Sequence, residues 1–399
     1  MPDVAFHKVA LGGVGLDRGG HLLIDRALRP LAPGQRLEVG DGGAHLGVHL
    51  RAWARSEGHA VDGNVVIRGE AGDRRLAGAV RAGGPEPAGI VDHPARSWGL
   101  AARGALVELG GPDLASADLD SRPQVWSDLA PKLYAQAAAS QWDPATAVDW
   151  AATADMSSDD LPDEVEVAVV QVMTYLVENE QAALAVPAHF LGRIHPHFRE
   201  VVQLLAVQVA DEARHLEVFS RRARLRGLPL GVSGAGGRAS LQTLLDEPDW
   251  SMASFLLSVL GEGTFLSLLS FLERYAPDPV TARIAHLALQ DEARHVAFGL
   301  SHLTEEVAAD ATLRDRLRAA IERRHDTLAA TAGLASDVHD ALVVLAAGSW
   351  EPHAIATGWD RVQALQADMD QGRQHRLVRL GFSSREATEL SALHTRNFM

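Results

Sequence analysis

Asp211-Glu212-Ala213-Arg214-His215 returns letter for letter as Asp291-Glu292-Ala293-Arg294-His295, 80 residues further along the chain. Each copy sits in a stretch whose apolar residues recur at three and four spacing, the pattern of an α-helix with one buried face. In such a helix a Glu and the His three positions later stand one turn apart on the same face and point the same way. Each copy also follows a second helical stretch that carries one acid among apolar residues. Glu180 lies 32 positions before Glu212, and Glu262 lies 30 before Glu292. Two helix pairs of one layout result.

On the first of these helices the acid could be Glu178 or Glu180. The apolar stripe runs through Val165, Val169, Val172, Leu176, Leu184 and Pro187. Glu180 falls on that stripe, four after Leu176 and four before Leu184, whereas Glu178 is turned about 200 degrees from it at the helical period. Glu180 is therefore placed inward. On the third helix Glu262 stands between Gly261 and Gly263, which weaken the helix and thin the packing beside the carboxylate.

Charge decides what such a cluster needs. Each of four buried carboxylates would lose several kcal/mol of hydration, and their mutual repulsion adds to the loss. Two divalent cations bring four positive charges against four negative ones. Neutral His215 and His295 would complete six protein ligands and leave coordination positions open. Oxygen and nitrogen donors of this kind suit iron or manganese. The order of metal affinities alone selects neither of the two.

Working outward, the helical pattern covers Val165 to Phe190, Glu200 to Arg226, Met252 to Tyr275, Val280 to Val307 and Leu313 to Thr331. Turns fall at Pro196, at Gly231 to Gly237 and at Pro277 to Pro279, and a short capping helix is expected at Ser384 to His394. Long antiparallel helices with short loops make a bundle. The N-terminal region differs, since 22 of the 36 glycines fall before residue 112. There Val4 to Leu11 and Arg36 to Val39 read as strands, the residues around Leu22 to Leu31 and His45 to Glu57 as helices, and Asn64 to Arg68 with Arg75 to Val80 as a closing hairpin. The fold class is mainly α: a helical bundle with a small N-terminal α+β unit of order β-α-β-α-β-β. Expected boundaries are 1–85 for that unit, 86–124 for a connector rich in turn residues, 125–310 for the bundle and 311–399 for a C-terminal helical extension.

Composition narrows the chemistry. The chain has 399 residues, 37 basic and 52 acidic side chains, a formal charge of -15 and 47% apolar residues. An acidic chain is not drawn to nucleic acid or to anionic membrane. Cysteine is absent from the sequence, which excludes disulfides, thiolate nucleophiles, persulfide relay and thiolate metal ligands. Any metal must be held by Asp, Glu and His. The N-terminus lacks a charged start followed by an apolar run, so a cytoplasmic location is expected.

Residues 125 to 310, with two Asp-Glu-Ala-Arg-His motifs and two spaced glutamates, resemble the ferritin-like di-iron carboxylate oxidases and oxygenases. The layout is close to that of the ribonucleotide reductase small subunit and its ligand-binding oxidase relatives. The segment Trp142 to Trp150 resembles the stretch leading into the first ligand helix of those oxidases. The resemblance implies Glu180 and Glu262 as single-carboxylate ligands and Glu212 with His215, and Glu292 with His295, as paired sets. It also implies that Glu212 and a carboxylate of the other half bridge the metals. Across the pseudo-twofold, Asp211 is placed to accept the ring N–H of His295, and Asp291 that of His215, as metal-bound imidazoles require. Arg214 and Arg294 are assigned to exterior ion pairs. Residues 1–85 resemble the small sulfur carriers of the TusA type, through LDRG at Leu16 to Gly19, Ala27 to Val39 and Ala52 to His59. The Cys-x-Pro that carries sulfur there has no counterpart after Gly19, so docking of a partner or substrate is the expected role.

Departures from the resembling families prune the activity. Tyrosine occurs only at Tyr134, Tyr175 and Tyr275, and the position one turn after His215 is Phe219, which disfavours a radical-generating reductase-like subunit. The positions matching the valine-tyrosine crosslink of the ligand-binding oxidases are Ala182 and Leu257, which cannot form it. Aromatic amine N-oxygenases add a His where this chain has Ala288; His286 and His302 are read as non-ligands. Ala183, Leu184, Pro187, Phe219, Phe265, Leu266, Leu269 and Phe298 are the candidate walls of an apolar pocket. The expectation is an O2-dependent di-iron oxidoreductase, with manganese admissible in one site, that hydroxylates, desaturates or N-oxygenates a small organic substrate. No flavin or nicotinamide fingerprint occurs, so electrons would come from an external ferredoxin or reductase. A homodimer is admitted, and nucleic acid and membrane are not expected partners. The alternative is a non-catalytic helical protein whose N-terminal domain binds a partner.

Overall fold

A computed structural model describes residues 7–71, 75–329 and 336–393. The chain divides into two units, one of Met1–Ala82 with Ala101–Asp113 and one of Gly83–Leu100 with Leu114–Met399. The stretch expected as a connector is thus shared between them.

In the first unit β1 (His7–Ala10) runs parallel to β2 (Arg36–Gly40), with α1 (Gly20–Leu28) between them in sequence. After α2 (Leu46–Ser56), β3 (Ala60–Asp62) and β4 (Val65–Ile67) form a hairpin, and the sheet order is β1-β2-β4-β3. Leu11, Ile24, Leu28, Leu37, Val39, Leu50 and Val66 form its core. The expected β-α-β-α-β-β order is present, but its closing hairpin uses other residues. Gly63, with φ +64, and Asn64 turn the chain between Asp62 and Val65, because a two-residue hairpin needs a left-handed first central residue that glycine supplies without strain. The segment expected as its second arm contributes only to β5 (Val80–Arg81), which pairs with β6 (Leu106–Val107) in a separate two-stranded sheet. Residues 4–6 of the first expected strand, 330–331 of the helix expected to Thr331, and His394 lie outside the described residues.

The second unit is helical. Following α3 (Ala130–Ala139), the long helices are α4 (Asp163–Leu191) and α5 (Arg199–Ala223), which pack on each other, and α7 (Trp250–Tyr275) and α8 (Pro279–Ala309), which do the same. Between the pairs lies α6 (Ala235–Leu245), in a stretch partly read as a turn because of its glycines. Its Leu241 and Leu244 are buried, and that packing overrides the weak helix propensity of glycine. Then come α9 (Leu313–Ala329), α10 (Ser336–Ala347), α11 (Pro352–Arg379) and α12 (Ser384–Ala392). Side-chain caps fix several starts: Asp249 accepts from Met252 N, Asp278 from Thr281 N, and Ser383 with Glu386 closes a capping box. Helix α7 is apolar and long enough to cross a membrane, yet 83% of its apolar window is buried inside the protein, as in the core helix of a bundle.

Two features bear on the site. Phe255–Glu262 within α7 is π-helical and ends on Glu262. At the far end of the first helix pair, Arg222 is fully buried and bridges Glu166 at 2.7 Å and Asp278 at 2.9 Å, tying α4, α5 and the start of α8 together.

Candidate metal centre

The four long helices bring all six proposed ligands to one place. Glu180, Glu212, His215 and Glu292 form one group and Glu212, Glu262, Glu292 and His295 another, each with donor atoms within 4.8 Å of one another, and every member is buried. Glu212 and Glu292 belong to both groups. The resemblance had implied Glu212 and one carboxylate of the other half as bridges; Glu292 is the second shared residue. Glu180 faces the cluster on α4, while Glu178 is half-buried and belongs to neither group.

Both imidazoles turn Nδ1 inward. His215 Nδ1 stands 3.2 Å from Glu292, 3.3 Å from Glu212 and 3.6 Å from Glu180, and His295 Nδ1 stands 3.0 Å from Glu212 and 3.5 Å from Glu292. Both turn Nε2 outward. His215 Nε2 donates to Asp291 and His295 Nε2 to Asp211, each at 3.2 Å, so each ring is held by the aspartate of the other motif. This is the crossed arrangement expected from the pseudo-twofold.

A third layer surrounds the imidazoles and their aspartates. Arg214 and Arg294 are not exterior: their side chains are 14% and 12% exposed, each bonds the aspartate of its own motif, and Arg214 also reaches Asp291 at 3.3 Å. The reason is charge, since two buried aspartates need two cations, and this Asp–Arg layer is neutral by itself. Gln141 Nε2 donates to Asp211 at 3.1 Å and Trp142 Nε1 to Asp291 at 2.8 Å. The Trp142 ring also stacks on His215, with centroids 6.4 Å apart and planes 16 degrees apart. Gln208 Nε2 donates to Glu262 at 3.1 Å. Sequence reasoning missed Gln141 and Gln208; Gln208 lies four before Glu212, one turn along the ligand face, and that spacing was its signal.

The inner donors satisfy one another poorly. Among the described residues, Glu180 Oε1, Glu212 Oε1, Glu262 Oε2, Glu292 Oε2 and His295 Nδ1 are buried without a hydrogen-bond partner. Although His295 Nδ1 is 3.0 Å from Glu212, the two are not aligned for a bond. Lone pairs gathered around shared points are the arrangement that a bound cation requires, so the residues fit a metal pair. Charge says the same. Burial pushes the Glu180 and Glu262 carboxyls well above the ordinary range, and the neighbouring Glu212 and Glu292 charges add to it. For the imidazoles burial favours the neutral form and is outweighed. Bonds to Asp291 and the glutamates hold His215 well above its ordinary value, and the Glu212 charge with the Asp211 bond does so for His295. These four shifts remove negative charge or add positive charge, which divalent cations would also do, while His295 and His215 outweigh burial and hold the Glu212 carboxylate ionised.

A small cavity of about 20 Å³ adjoins the cluster, lined by Asn179, Glu180, Ala183, Leu241, Leu244, Leu257, Gly261, Glu262, Phe265 and Glu292. Of the walls expected from helix faces, Ala183 and Phe265 line it. Phe219, Leu269 and Phe298 are core residues instead, and Leu266 borders a separate groove with Tyr275 and Arg361. Leu241 and Leu244, from the helix not foreseen, replace them. His286 is paired with Glu273 on the surface, and buried His302 meets Ser254 at 2.7 Å, so neither joins the cluster. Phe219 packs beside His215 with ring centroids 6.3 Å apart. Tyr175 is buried and stacked on Phe265 at 6.0 Å.

Fold and side chains together define a helical bundle built around paired Glu-x-x-His motifs and two single glutamates, the layout of di-metal carboxylate bundles. No protein-family model matches the chain, and no curated protein matches it. Among solved structures, an R2-like ligand-binding oxidase with aerobically reconstituted metal cofactor after photoconversion aligns over 66% of this chain and 91% of that one, at 19% identity and a TM-score of 0.42. Another R2-like ligand-binding oxidase, with aerobically reconstituted Mn/Fe cofactor, aligns over 68% of this chain and 91% of that one, at 19% identity and a TM-score of 0.43.

Proposed function

We propose that this chain is a di-metal, O2-dependent oxidoreductase acting on a small, largely apolar organic molecule. The observation that carries the reading is the pair of four-donor groups sharing Glu212 and Glu292, with each His locked by the aspartate of the opposite motif. Glu180, Glu212, His215 and Glu292 would hold one ion and Glu212, Glu262, Glu292 and His295 the other. Two iron ions suit this donor set, as does manganese with iron. When bound, such a pair supplies O2 activation and one-electron steps that side chains alone do not.

The chain's own part is orientation and exclusion of water. Leu241, Leu244, Leu257 and Phe265 give the cavity apolar walls. Asn179 is the one neutral polar side chain among its lining residues, and its Oδ1 lacks a hydrogen-bond partner. A substrate with one hydroxyl, amine or amide donor on an apolar body would satisfy it. Hydroxylation or N-oxygenation consumes O2, two electrons and two protons, places one oxygen atom in the substrate and releases the other as water; desaturation with the same electron supply releases both as water. The electrons come from an external ferredoxin or reductase on this reading. The N-terminal unit serves to dock a partner or substrate, and deleting it without effect on turnover or partner binding would refute that part.

Anaerobic loading with Fe(II), followed by metal analysis, tests the assignment. Two equivalents per chain and O2 uptake are expected. Less than a quarter of an equivalent after reconstitution would leave the non-catalytic reading in its place.

A further inference from the structure

We infer that Arg376, on the C-terminal helix α11, is a positioning residue for the Glu262 half of the cluster, because it caps the one carbonyl that the π-helical segment of α7 leaves without a backbone donor. The inference rests on the reading of Glu262 as a metal ligand.

The segment returns to α-helical bonding at Gly263, whose N–H is directed to Gly261 O, to Leu260 O and, five residues back, to Ser258 O, but not to Val259 O. A π segment that reverts to four-residue bonding passes over one carbonyl at the change, and Val259 O stands at that position. A buried carbonyl without a donor is costly. Arg376 Nε donates to Val259 O at 2.7 Å. The guanidinium lies over Gly263, where an added Cβ would stand 2.4 Å from Nε and 2.5 Å from Cζ. On the other side of the segment, Gly299 of α8 leaves room for Ser258, which an added Cβ would meet at 2.5 Å. Both neighbours of the widened turn are thus shaped to it.

The register matters for the site. One residue inserted into a helix rotates everything beyond it by about 100 degrees relative to an uninterrupted α-helix. Glu262 closes the π segment, and its direction depends on that segment's surviving. Arg376 is only 8% exposed and its side chain crosses from outside the four ligand helices to do this. Its neighbour Arg373, equally buried, donates through Nε to Ser391 instead.

Anaerobic titration of the full chain with Co(II), read by its ligand-field absorption and by metal content, tests the inference. Wild type binding two equivalents is the baseline, and failure of that baseline would count against the metal site itself. With it in place, Arg376→Met should keep one equivalent and bind the second at least 10-fold more weakly, the loss typical of residues that orient a ligand. Arg376→Lys, which keeps a donor, should recover the second equivalent, and Arg373→Met should bind both as wild type does. Two equivalents at wild-type affinity and spectrum in Arg376→Met, or equal weakening in Arg373→Met, overturns the inference. If Arg376→Met does not fold, Gly263→Ala decides, since its methyl displaces the guanidinium without deleting it. Loss of the second equivalent supports the role, and its retention overturns it.

Discussion

The two halves of the cluster carry the same five-letter motif and hold their single glutamates in different ways. Glu180 projects from a regular α-helix of 29 residues. Glu262 projects from the end of an eight-residue π segment that needs two glycines and an arginine from another helix to accommodate it. Equivalent donors therefore do not require equivalent backbones. The paired motif is presented by spacing alone, because i and i+3 share a face of any α-helix. The lone glutamate has no such partner, and its direction depends on the register of the whole helix.

The comparison can be broken most sharply at the shared carboxylates. Glu212→Ala or Glu292→Ala should abolish binding of both metals, whereas Glu180→Ala or Glu262→Ala should each release one; metal content after anaerobic loading distinguishes these. Equal, single losses in all four would mean that the halves are independent sites.

The halves also differ in their supports. Arg222 ties α5 to Glu166 of α4 and to Asp278. Arg222→Met leaves two buried carboxylates uncompensated and should lower folding stability by about 3–5 kcal/mol in chemical denaturation. Asp211→Asn and Asp291→Asn test the crossed hydrogen bonds. Each should weaken metal binding roughly 10–100-fold, with Asp211→Asn acting on the His295 half and Asp291→Asn on the His215 half. A variant weakening the site of its own motif instead would refute the crossing.

A pH-dependent effect is expected in the second half. Burial raises the Glu306 carboxyl of α8 to about 7, from an ordinary value of 4.5. Between those pH values the folded protein holds a proton that the unfolded chain has released, so stability falls as pH rises through the window. Glu306→Gln should remove that slope and stabilise the protein by about 3 kcal/mol at pH 8, seen as a higher midpoint of denaturation there and an unchanged one at pH 4.

Legibility followed periodicity. The ligand helices were readable because their stripes are apolar and the exceptions were the ligands themselves. Helix α11 was not, since its buried side runs through Gly358, Val362, Leu365, Met369, Arg373 and Arg376, and two arginines dilute the apolar face that marks a helix. The wall supplied by Leu241 and Leu244 was hidden by the glycines of the preceding stretch. The inward placement of Arg214 and Arg294 was missed because a charged residue beside a ligand face reads as solvated, when here it neutralises the aspartates beneath it.

Residue identity and spacing alone determined that two Glu-x-x-His pairs and two single glutamates share helix faces, and that cysteine chemistry is absent. Those are local properties, set by the 3.6-residue period and by composition. Which carboxylates are shared, which aspartate holds which imidazole, where the cavity opens and how Glu262 is aimed came only from the tertiary structure. Each depends on side chains from helices far apart in the chain, and no period along one helix encodes the distance to another.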